Sequence, residues 1–321
     1  MVEAFGEQWA HGGADALGMA EHDFSTNRNA FGPCPRALAL VRAAQVADYP
    51  DPAYTRLRAG LAAFHGVPAR HIVIGASASE LIHRLSACAA RQGAGYASLP
   101  GHCFGDYARA ARAWGLEVLA RPSARPAAQG PQQGLHWACE PSSPLGRIEE
   151  GWPLLLVREA GRTVRDGPWL VLDCAYRPLW LEGRPPPRDL AGCWQLWTPN
   201  KALGMTGVRA AYAIAPANVA DETLGLLHEL APSWVLGAHG VAMLEAWIEP
   251  GVQSWLESSL ARLREWKALQ LELCASLGWQ VLAGHQANYF VARPQLCGGS
   301  LGRNLDRLRA RGVKLRDCAS F

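Results

Sequence analysis

The sequence lacks the apolar segments of a membrane or secreted protein. No apolar run reaches the length of a membrane span. The N-terminal stretch MVEAFGEQWAHGG carries acidic side chains and contains no apolar core of a signal peptide. We therefore expect a cytoplasmic protein that does not cross a membrane.

Paired cysteines and repeated segments are also absent. The nine cysteines are an odd number and form no C-x-x-C pair, so neither a disulfide framework nor a zinc site is indicated. We expect no metal, and most of the cysteines should be small buried apolar residues. No segment repeats and none has low complexity, which argues against a repeat architecture.

The chain has little excess charge. Its formal net charge is +3, and its lysines and arginines are scattered without a basic stripe, so nucleic acid is not an expected partner. No G-x-G-x-x-G motif follows a strand pattern, and GASASE lacks that spacing, which disfavours a dinucleotide-binding dehydrogenase.

Short apolar runs instead alternate with longer helical patterns. This alternation predicts an α/β fold with a mainly parallel central sheet and flanking helices. Five strands are predicted in the segments HIVIG, GYASLP, PWLVLD, CWQLW and RAAYAIAP. A helix should follow the turn at Gly75 and start at Ser77 or Ser79. After Pro216 the pattern is mostly helical, with a long amphipathic stretch near residues 252–277, and the C-terminal part reads as strand, helix, strand.

Lys201 stands in LWTPNKALGMTGVR, where the residues that follow it are mostly apolar. A buried lysine is expected to have a lowered pKa and to act as a nucleophile, although spacing alone favours a lysine at a loop edge. Ligands of open α/β sheets bind beyond the carboxyl ends of the strands. Asp173, Lys201 and the Gly75 turn all fall at such ends.

These side chains suggest one ligand chemistry. A buried carboxylate such as Asp173 can hold a cationic ring nitrogen, the amine of Lys201 can form an imine with an aldehyde, and the guanidinium of Arg209 can grip a phosphate. Pyridoxal phosphate carries all three groups. A helix N-terminus at Ser77 suits the phosphate further. Two aromatic side chains could serve the ring, by a hydrogen bond to its phenolic oxygen and by stacking: Tyr176 and Phe104.

Taken together, this ordered set resembles the fold type I pyridoxal-phosphate enzymes, the aspartate aminotransferase superfamily. Within it the sequence is most similar to the branch of histidinol-phosphate aminotransferase and threonine-phosphate decarboxylase, the latter from cobalamin biosynthesis. The motifs that carry this similarity are HGG (11–13), DFSTNRNAFGP (23–33), YPDPAYTRLR (49–58) and LRDCASF (315–321).

The resemblance implies a role for each matching residue. Lys201 corresponds to the Schiff-base lysine, Asp173 to the partner of the pyridine nitrogen and Tyr176 to the donor to the phenolic oxygen, while Phe104 takes the ring-stacking position. The phosphate would be held by Ser77, Ala78, Ser79, Thr198, Arg209 and, from the neighbouring subunit, Tyr49. The substrate would be held by His11, Asn27, Asn288 and Arg316, with Arg316 binding an acidic group. His11 could instead belong to a disordered tail, and Asn288 could serve backbone groups in a strand.

Three features depart from the family pattern. The loop NPNNPTG appears here as EPSSPLG, so Ser143 replaces the asparagine that contacts the phenolic oxygen. Asn200 precedes the lysine where many relatives have a hydroxyl residue. The chain stops at Phe321, before the strand whose arginine binds the substrate carboxylate in relatives, so we expect either a tail beyond Phe321 or a different mode of substrate binding.

The resemblance also implies an organisation and an activity. Residues 1–45 would form an arm and part of a small α+β domain, residues 46–215 the large cofactor domain, and residues 216–321 connecting helices and the rest of the small domain. Active sites shared between subunits imply a homodimer. The expected activity is decarboxylation of L-threonine O-3-phosphate to (R)-1-aminopropan-2-yl phosphate through an internal aldimine of Lys201. The alternatives are an aminotransferase of the histidinol-phosphate type and a catalytically weak relative that acts as a binding protein.

Overall fold

The computed structural model describes residues 12–121, 133–149, 152, 167–186, 190–295, 300–319 and 321. The helices within these ranges are α1 (Pro35–Arg42), α2 (Thr55–His65), α3 (Ala78–Arg91), α4 (Gly105–Ala113), α5 (Asp221–Glu229), α6 (Ala238–Trp247), α7 (Pro250–Ser276) and α8 (Leu301–Ala310). The strands are β1 (His22–Asp23), β2 (Ile72–Gly75), β3 (Ala94–Leu99), β4 (Glu117–Ala120), β5 (Gln133–Cys139), β6 (Trp169–Asp173), β7 (Trp194–Trp197), β8 (Ala211–Ile214), β9 (Gln280–Val281), β10 (Ala292–Arg293) and β11 (Val313–Lys314).

A central seven-stranded sheet has the order β2-β8-β7-β6-β5-β3-β4. Only β8 runs against its two neighbours, and the other pairs are parallel. The expected α/β fold with a mainly parallel sheet is therefore confirmed. Because β2 and β7 are both antiparallel to β8, they run in the same direction as β3 to β6. The carboxyl ends of six strands consequently meet at one edge of the sheet.

The five predicted strands are present, but sequence patterns missed β4 and β5. The segment of β4 is short and its two end residues are exposed, so it has no continuous apolar run. The segment of β5, QGLHWAC, begins with a polar residue and a glycine, which weakens the pattern. The missed β5 lies directly beside β6 and completes the edge that carries Asp173.

Helix α3 begins where one of the two expected starts placed it. Ser77 is its N-cap and accepts a hydrogen bond from the backbone N–H of Glu80 at 3.1 Å. The Glu80 carboxylate accepts a hydrogen bond from the N–H of Ala76, the residue before the cap, at 3.1 Å, which resembles a capping box shifted by one residue. The buried face, which includes Leu81 and Leu85, packs the helix against the sheet. This packing brings its N-terminus to the carboxyl edge.

Two small sheets lie outside the central one. Strands β1 and β11 pair in parallel and join the N-terminal and C-terminal segments, while β9 and β10 pair antiparallel. The division into domains at residues 45 and 215 stays a prediction. The strand expected over HQANYFVARP is shorter than its pattern indicates. The backbone N–H of Gln286 donates to the carbonyl of Gly146, and its carbonyl accepts from the N–H of Leu181, so Gln286 does not pair with a regular strand.

Two large apolar clusters cover the faces of the sheet. One contains buried residues of α1, α2, α6 and α7, and the other contains those of α3, α4 and α5. Helix α7 fills most of the predicted long helical stretch. It is the one described helix long enough to cross a bilayer, and its charged residues leave no stretch apolar enough to do so.

Candidate active site

The edge formed by the carboxyl ends of the strands brings together Asp173 and Lys201, the two residues predicted to hold the ligand's ring nitrogen and aldehyde. Asp173 is the last residue of β6, where it lies in register with Cys139 on β5 and Leu196 on β7. Lys201 follows β7 in a turn closed by hydrogen bonds from Leu203 N to Pro199 O and from Gly204 N to Lys201 O. Both side chains therefore arise from adjacent parallel strands at the same edge.

Asp173 is almost completely buried, at 4% exposure. Its Oδ2 accepts a hydrogen bond from the hydroxyl of Tyr107 at 2.7 Å, and its Oδ1 accepts one from the backbone N–H of Ala175 at 2.9 Å. Burial raises the pKa of Asp173, and the opposing effects of the Lys201 charge and these hydrogen bonds do not cancel it. The carboxylate is thus fixed by a donor on each oxygen.

Lys201 lies inside the site. Its Nζ is 4.2 Å from the centroid of the Tyr176 ring. Burial lowers the pKa of the amine, but the negative charges that Tyr176 and Asp173 can carry outweigh burial and raise it. The expectation of a lowered pKa is therefore wrong for the chain without a ligand. The amine must lose its proton before it can act as a nucleophile.

The predicted phosphate-binding residues of the chain itself lie in the first turn of α3 and next to strands β7 and β8. Gly75 on β2 pairs with Ala211 on β8, and the hydroxyl of Thr198 lies 3.4 Å from the carbonyl oxygen of Ala210. The same hydroxyl donates to Oδ1 of Asn200 at 2.9 Å, so Asn200 supports the threonine from within the turn. Ala78 and Ser79 occupy the first turn of α3, whose N–H groups have no partner within the helix.

Arg209 completes this group at its exposed side. It directly precedes Ala210, which places it next to the Thr198 contact. Within the ranges that the structure describes, its side chain makes no hydrogen bond or ion pair, so its guanidinium is available to an anion. The side chain of Ser77, in contrast, is already engaged as the cap of α3. Its hydroxyl keeps its own hydrogen to donate, and Ala78 and Ser79 add backbone N–H groups in the first turn.

Two aromatic residues precede or begin α4. Phe104 is the N-cap residue of α4 and contacts the Tyr107 ring edge-on, with ring centroids 5.9 Å apart. Tyr107 is fully buried and stacks on Trp137, with centroids 4.6 Å apart and planes 10° apart. Sequence reasoning missed Tyr107. A buried tyrosine needs a partner for its hydroxyl, but the sequence does not identify Asp173, 66 residues away, as that partner.

Ser143 is buried in the loop that follows β5. The loop is anchored by Tyr289, whose hydroxyl donates to the carbonyl of Ser142 at 3.0 Å, and the ring of Tyr289 meets that of Tyr176 edge-on at 4.8 Å. Among the described residues, the Ser143 hydroxyl has no hydrogen-bond partner. Ser143 thus occupies the loop expected to approach the phenolic oxygen.

The residues expected to bind substrate fall into three groups. Burial lowers the pKa of Arg316, and the nearby Tyr176 partly opposes this shift. The guanidinium carbon of Arg316 is 4.5 Å from the centroid of the Phe321 ring. The amide of Asn288 donates to the carbonyl of Arg28 at 3.1 Å, and Asn27 is partly buried in the adjacent segment. His11 lies outside the described residues.

Two buried polar atoms of these residues lack a hydrogen-bond partner among the described residues: Nε of Arg316 and Oδ1 of Asn288. Buried polar groups are normally hydrogen-bonded, so both atoms are suited to contact a bound molecule. Asn288 serves a backbone group through its amide nitrogen, as the alternative interpretation expected, and still has a free carbonyl oxygen. Together with Asp173, Lys201 and the free Arg209, this donor set fits pyridoxal phosphate and an anionic substrate.

Tyr49 lies apart from these residues. Its side chain is 78% exposed and stacks on Trp234, with ring centroids 4.5 Å apart. The Trp234 indole donates to the carbonyl of Pro50 at 3.1 Å, which holds the aromatic pair at the surface. Within one chain Tyr49 does not join the sheet edge.

Comparison with known proteins gives a consistent result. The family model described as "Aminotransferase class I and II" matches residues 21–295. A histidinol-phosphate aminotransferase from Hyphomonas neptunium is 27% identical over 297 residues, which cover 88% of this chain and 77% of the relative.

Solved structures share the fold. A histidinol-phosphate aminotransferase from Sinorhizobium meliloti in complex with pyridoxal-5′-phosphate aligns with a TM-score of 0.71 at 20% identity, covering 91% of this chain and 81% of the other. The L-threonine-O-3-phosphate decarboxylase from Porphyromonas gingivalis aligns with a TM-score of 0.64 at 19% identity, covering 87% and 82%. At these identities the structural likeness establishes the fold alone.

Proposed function

This chain belongs to the aminotransferase class I and II family, and we propose that it is an aminotransferase of the histidinol-phosphate type. It is an enzyme whose cofactor is pyridoxal phosphate and whose substrate is a small amino compound. The observation that carries the proposal is the placement of the buried Asp173 at the end of β6 and of Lys201 in the turn after the adjacent parallel strand β7.

Three residues are assigned to cofactor binding and proton transfer: Asp173, Tyr176 and Lys201. Bound pyridoxal phosphate supplies an electron sink for the bonds at the substrate's α-carbon. Asp173 holds the ring nitrogen protonated, and Tyr176 donates to the phenolic oxygen. The ε-amine of Lys201 would hold the aldehyde group of the cofactor and, when not bonded to it, would take the proton from the substrate's α-carbon.

The phosphate of the cofactor is assigned to the edge of the sheet where β2 ends and β8 begins. The first-turn N–H groups of Ala78 and Ser79 face an anion with the positive end of the α3 dipole. Thr198 adds a hydroxyl and Arg209 a charge without an internal partner. Phe104 covers the ring, and Ser143 takes the place of the usual asparagine beside the phenolic oxygen. Tyr49 would approach from a second subunit of a homodimer.

We assign the substrate to the class of phosphate monoesters that carry an amine. The histidinol-phosphate aminotransferases from Hyphomonas neptunium and Sinorhizobium meliloti align over most of the chain, and one structural neighbour is named for threonine phosphate. The unpartnered Nε of Arg316 and Oδ1 of Asn288 provide a donor and an acceptor for such a molecule. Asn27 and His11 are assigned to the same subsite.

Decarboxylation of L-threonine O-3-phosphate is the second candidate. It is supported by the HGG and LRDCASF motifs, and by the position of Arg316 beside Tyr176. Whether the α-carbon loses its carboxylate or its proton would depend on how the substrate is held, and Arg316 would orient the substrate through the acidic group it binds.

A labelling experiment tests the cofactor assignment. The sequence contains three lysines, of which Lys267 pairs with Glu182 and Lys314 pairs with Asp15. Protein incubated with pyridoxal phosphate should show a visible absorbance band that borohydride fixes to the peptide of Lys201. Lys201→Ala should abolish the band, whereas the matched control Lys314→Arg should keep it. An unchanged band in Lys201→Ala would refute the assignment.

Product analysis of the same preparation separates the activities. With glutamate as amino donor, an aminotransferase converts the cofactor to its pyridoxamine form and releases a keto acid, and with histidinol phosphate it releases a ketone. With L-threonine O-3-phosphate, a decarboxylase releases CO2 and leaves the cofactor as the aldehyde. Release of CO2 without the pyridoxamine form would replace the proposal by the second candidate. A visible band without either product would indicate a binding protein.

A further inference from the structure

The hydroxyl of Tyr107 is one of the two hydrogen-bond donors that hold the Asp173 carboxylate. It donates to Oδ2 at 2.7 Å, while the backbone N–H of Ala175 donates to Oδ1 at 2.9 Å. Ala175 lies two residues along the same chain segment, so its bond alone holds only one oxygen. Rotation about the terminal torsion of an aspartate is broad and soft, and the second donor is therefore what fixes the plane of the carboxylate.

The ring of Tyr107 is itself held on two sides. Trp137, on the neighbouring strand β5, stacks on it at 4.6 Å with nearly parallel planes. Phe104, the residue assigned to the face of the cofactor ring, meets it edge-on at 5.9 Å. Tyr107 thus links the residue assigned to the cofactor face with the residue assigned to its nitrogen.

We propose that Tyr107 is a positioning residue for the cofactor, which holds the Asp173 carboxylate ionised and in one orientation toward the ring nitrogen. This inference rests on the proposed function of the site. A donor hydrogen bond favours the charged form of a buried carboxylate, and an ionised carboxylate is the form that attracts a protonated ring nitrogen. Loss of the hydroxyl should weaken that attraction without changing the phosphate contacts.

A binding experiment separates this role from a general effect on folding. The apoprotein and Tyr107→Phe are each titrated with pyridoxal phosphate and with its carbocyclic analogue, in which a C–H group replaces the ring nitrogen, and tryptophan fluorescence reports binding. We expect Tyr107→Phe to bind pyridoxal phosphate about tenfold more weakly than the unchanged chain, the typical effect of one charge-assisted hydrogen bond. Its affinity for the carbocyclic analogue should stay within about twofold.

Tyr212→Phe is the matched control. Tyr212 is also fully buried, lies on β8 of the sheet that carries Asp173, and bonds through its hydroxyl to His65 and Trp247 instead of to a carboxylate. Its removal should leave the ratio of the two affinities unchanged. Because the ratio is measured on one folded preparation, a loss of stability in either variant cancels.

The outcomes distinguish the inference from the function on which it rests. Equal weakening of both ligands by Tyr107→Phe would show a structural role only and overturn the inference, as would unchanged affinity for both. If the unchanged chain binds neither ligand, or forms no bond to Lys201, the proposed function itself fails. Weakening confined to pyridoxal phosphate supports Tyr107 as the positioning residue.

Discussion

At the scale of single residues, His65 ties the end of α2 to the central sheet. Its Nε2 lies 2.7 Å from the hydroxyl of Tyr212 on β8, and that hydroxyl accepts a hydrogen bond from the Trp247 indole at 3.2 Å. The hydroxyl then has its own hydrogen left to donate to a neutral imidazole. Burial lowers the pKa of His65 from its ordinary value of 6.5 to about 4.

Acid should therefore destabilise the protein through His65. Because its folded pKa lies below the unfolded value, the unfolded chain binds the proton more readily, so the stabilisation is complete above pH 6.5 and is lost as the pH falls toward 4. The full effect is about 3 kcal/mol in the free energy of unfolding. Urea titrations at a series of pH values should show a shallower acid loss in His65→Leu than in the unchanged chain.

An exposed histidine provides the control for this titration. His22 lies on β1 with its side chain largely exposed, so His22→Gln should keep the full acid loss. Parallel pH profiles for His65→Leu and the unchanged chain would contradict the assignment to His65. His136, whose pKa burial also lowers to about 4, contributes to the acid loss that remains in the variant.

The sequence predicted the positions of Lys201 and Asp173 but not their electrostatics. Each follows an apolar strand pattern, and chain direction alone then places both at one edge of the sheet. The direction of the Lys201 pKa shift depends on Tyr176 and Asp173 at the folded distances, which local sequence does not contain. Tyr107 stayed hidden for the same reason, since its partner is on a different element.

At the scale of elements, an N-terminal segment is joined to the turn that carries the lysine. The N–H of Asn29 donates to the carbonyl of Lys201 at 2.8 Å, and its buried amide donates to the carbonyl of Ala202 at 3.0 Å. The same amide donates to Ser259 on α7 at 2.8 Å. One asparagine thus connects the segment, the lysine turn and the longest helix.

Gly32 allows this segment to approach the turn closely. A Cβ at this position would lie 2.8 Å from the Leu203 carbonyl oxygen and 2.9 Å from the Gly204 Cα, and both are backbone atoms that cannot rotate away. We expect Gly32→Ala to lower the free energy of unfolding by about 1–3 kcal/mol, the usual cost of overpacking. Urea unfolding followed by tryptophan fluorescence measures the change.

Gly207, in the loop that contains the lysine turn, supplies a control. A Cβ there would meet nothing within 4 Å, so Gly207→Ala should change the free energy of unfolding by no more than about 0.5 kcal/mol. If Gly32→Ala were as stable as Gly207→Ala, the close contact would not constrain the lysine turn.

Strong periodicity decided which elements sequence patterns could predict. The long helix α7 and the apolar strand β6 have continuous patterns and were found. Strands β4 and β5 were not, because β4 has exposed ends and β5 opens on Gln133 and Gly134. Pairing with β3 defines both as strands, and that information lies in neighbours far along the chain.

At the scale of the whole molecule, the single chain leaves one predicted contact unmade. Tyr49 was expected at the phosphate of a neighbouring subunit, and in the chain its ring is 78% exposed on the stacked Trp234. An exposed aromatic pair is typical of a surface that a partner covers. We propose that a homodimer forms here and that each site uses Tyr49 from the other subunit.

Subunit mixing tests this proposal. Lys201→Ala and Tyr49→Ala chains are unfolded together in equal amounts and refolded, so that half of the dimers are mixed. In a mixed dimer, the site that keeps Lys201 receives an intact Tyr49 from its partner, so one site in two is native and turnover should reach about a quarter of that of the unchanged enzyme. If Tyr49 acted within its own chain, that site would lack it, and the mixture would show only the average of the separate variants.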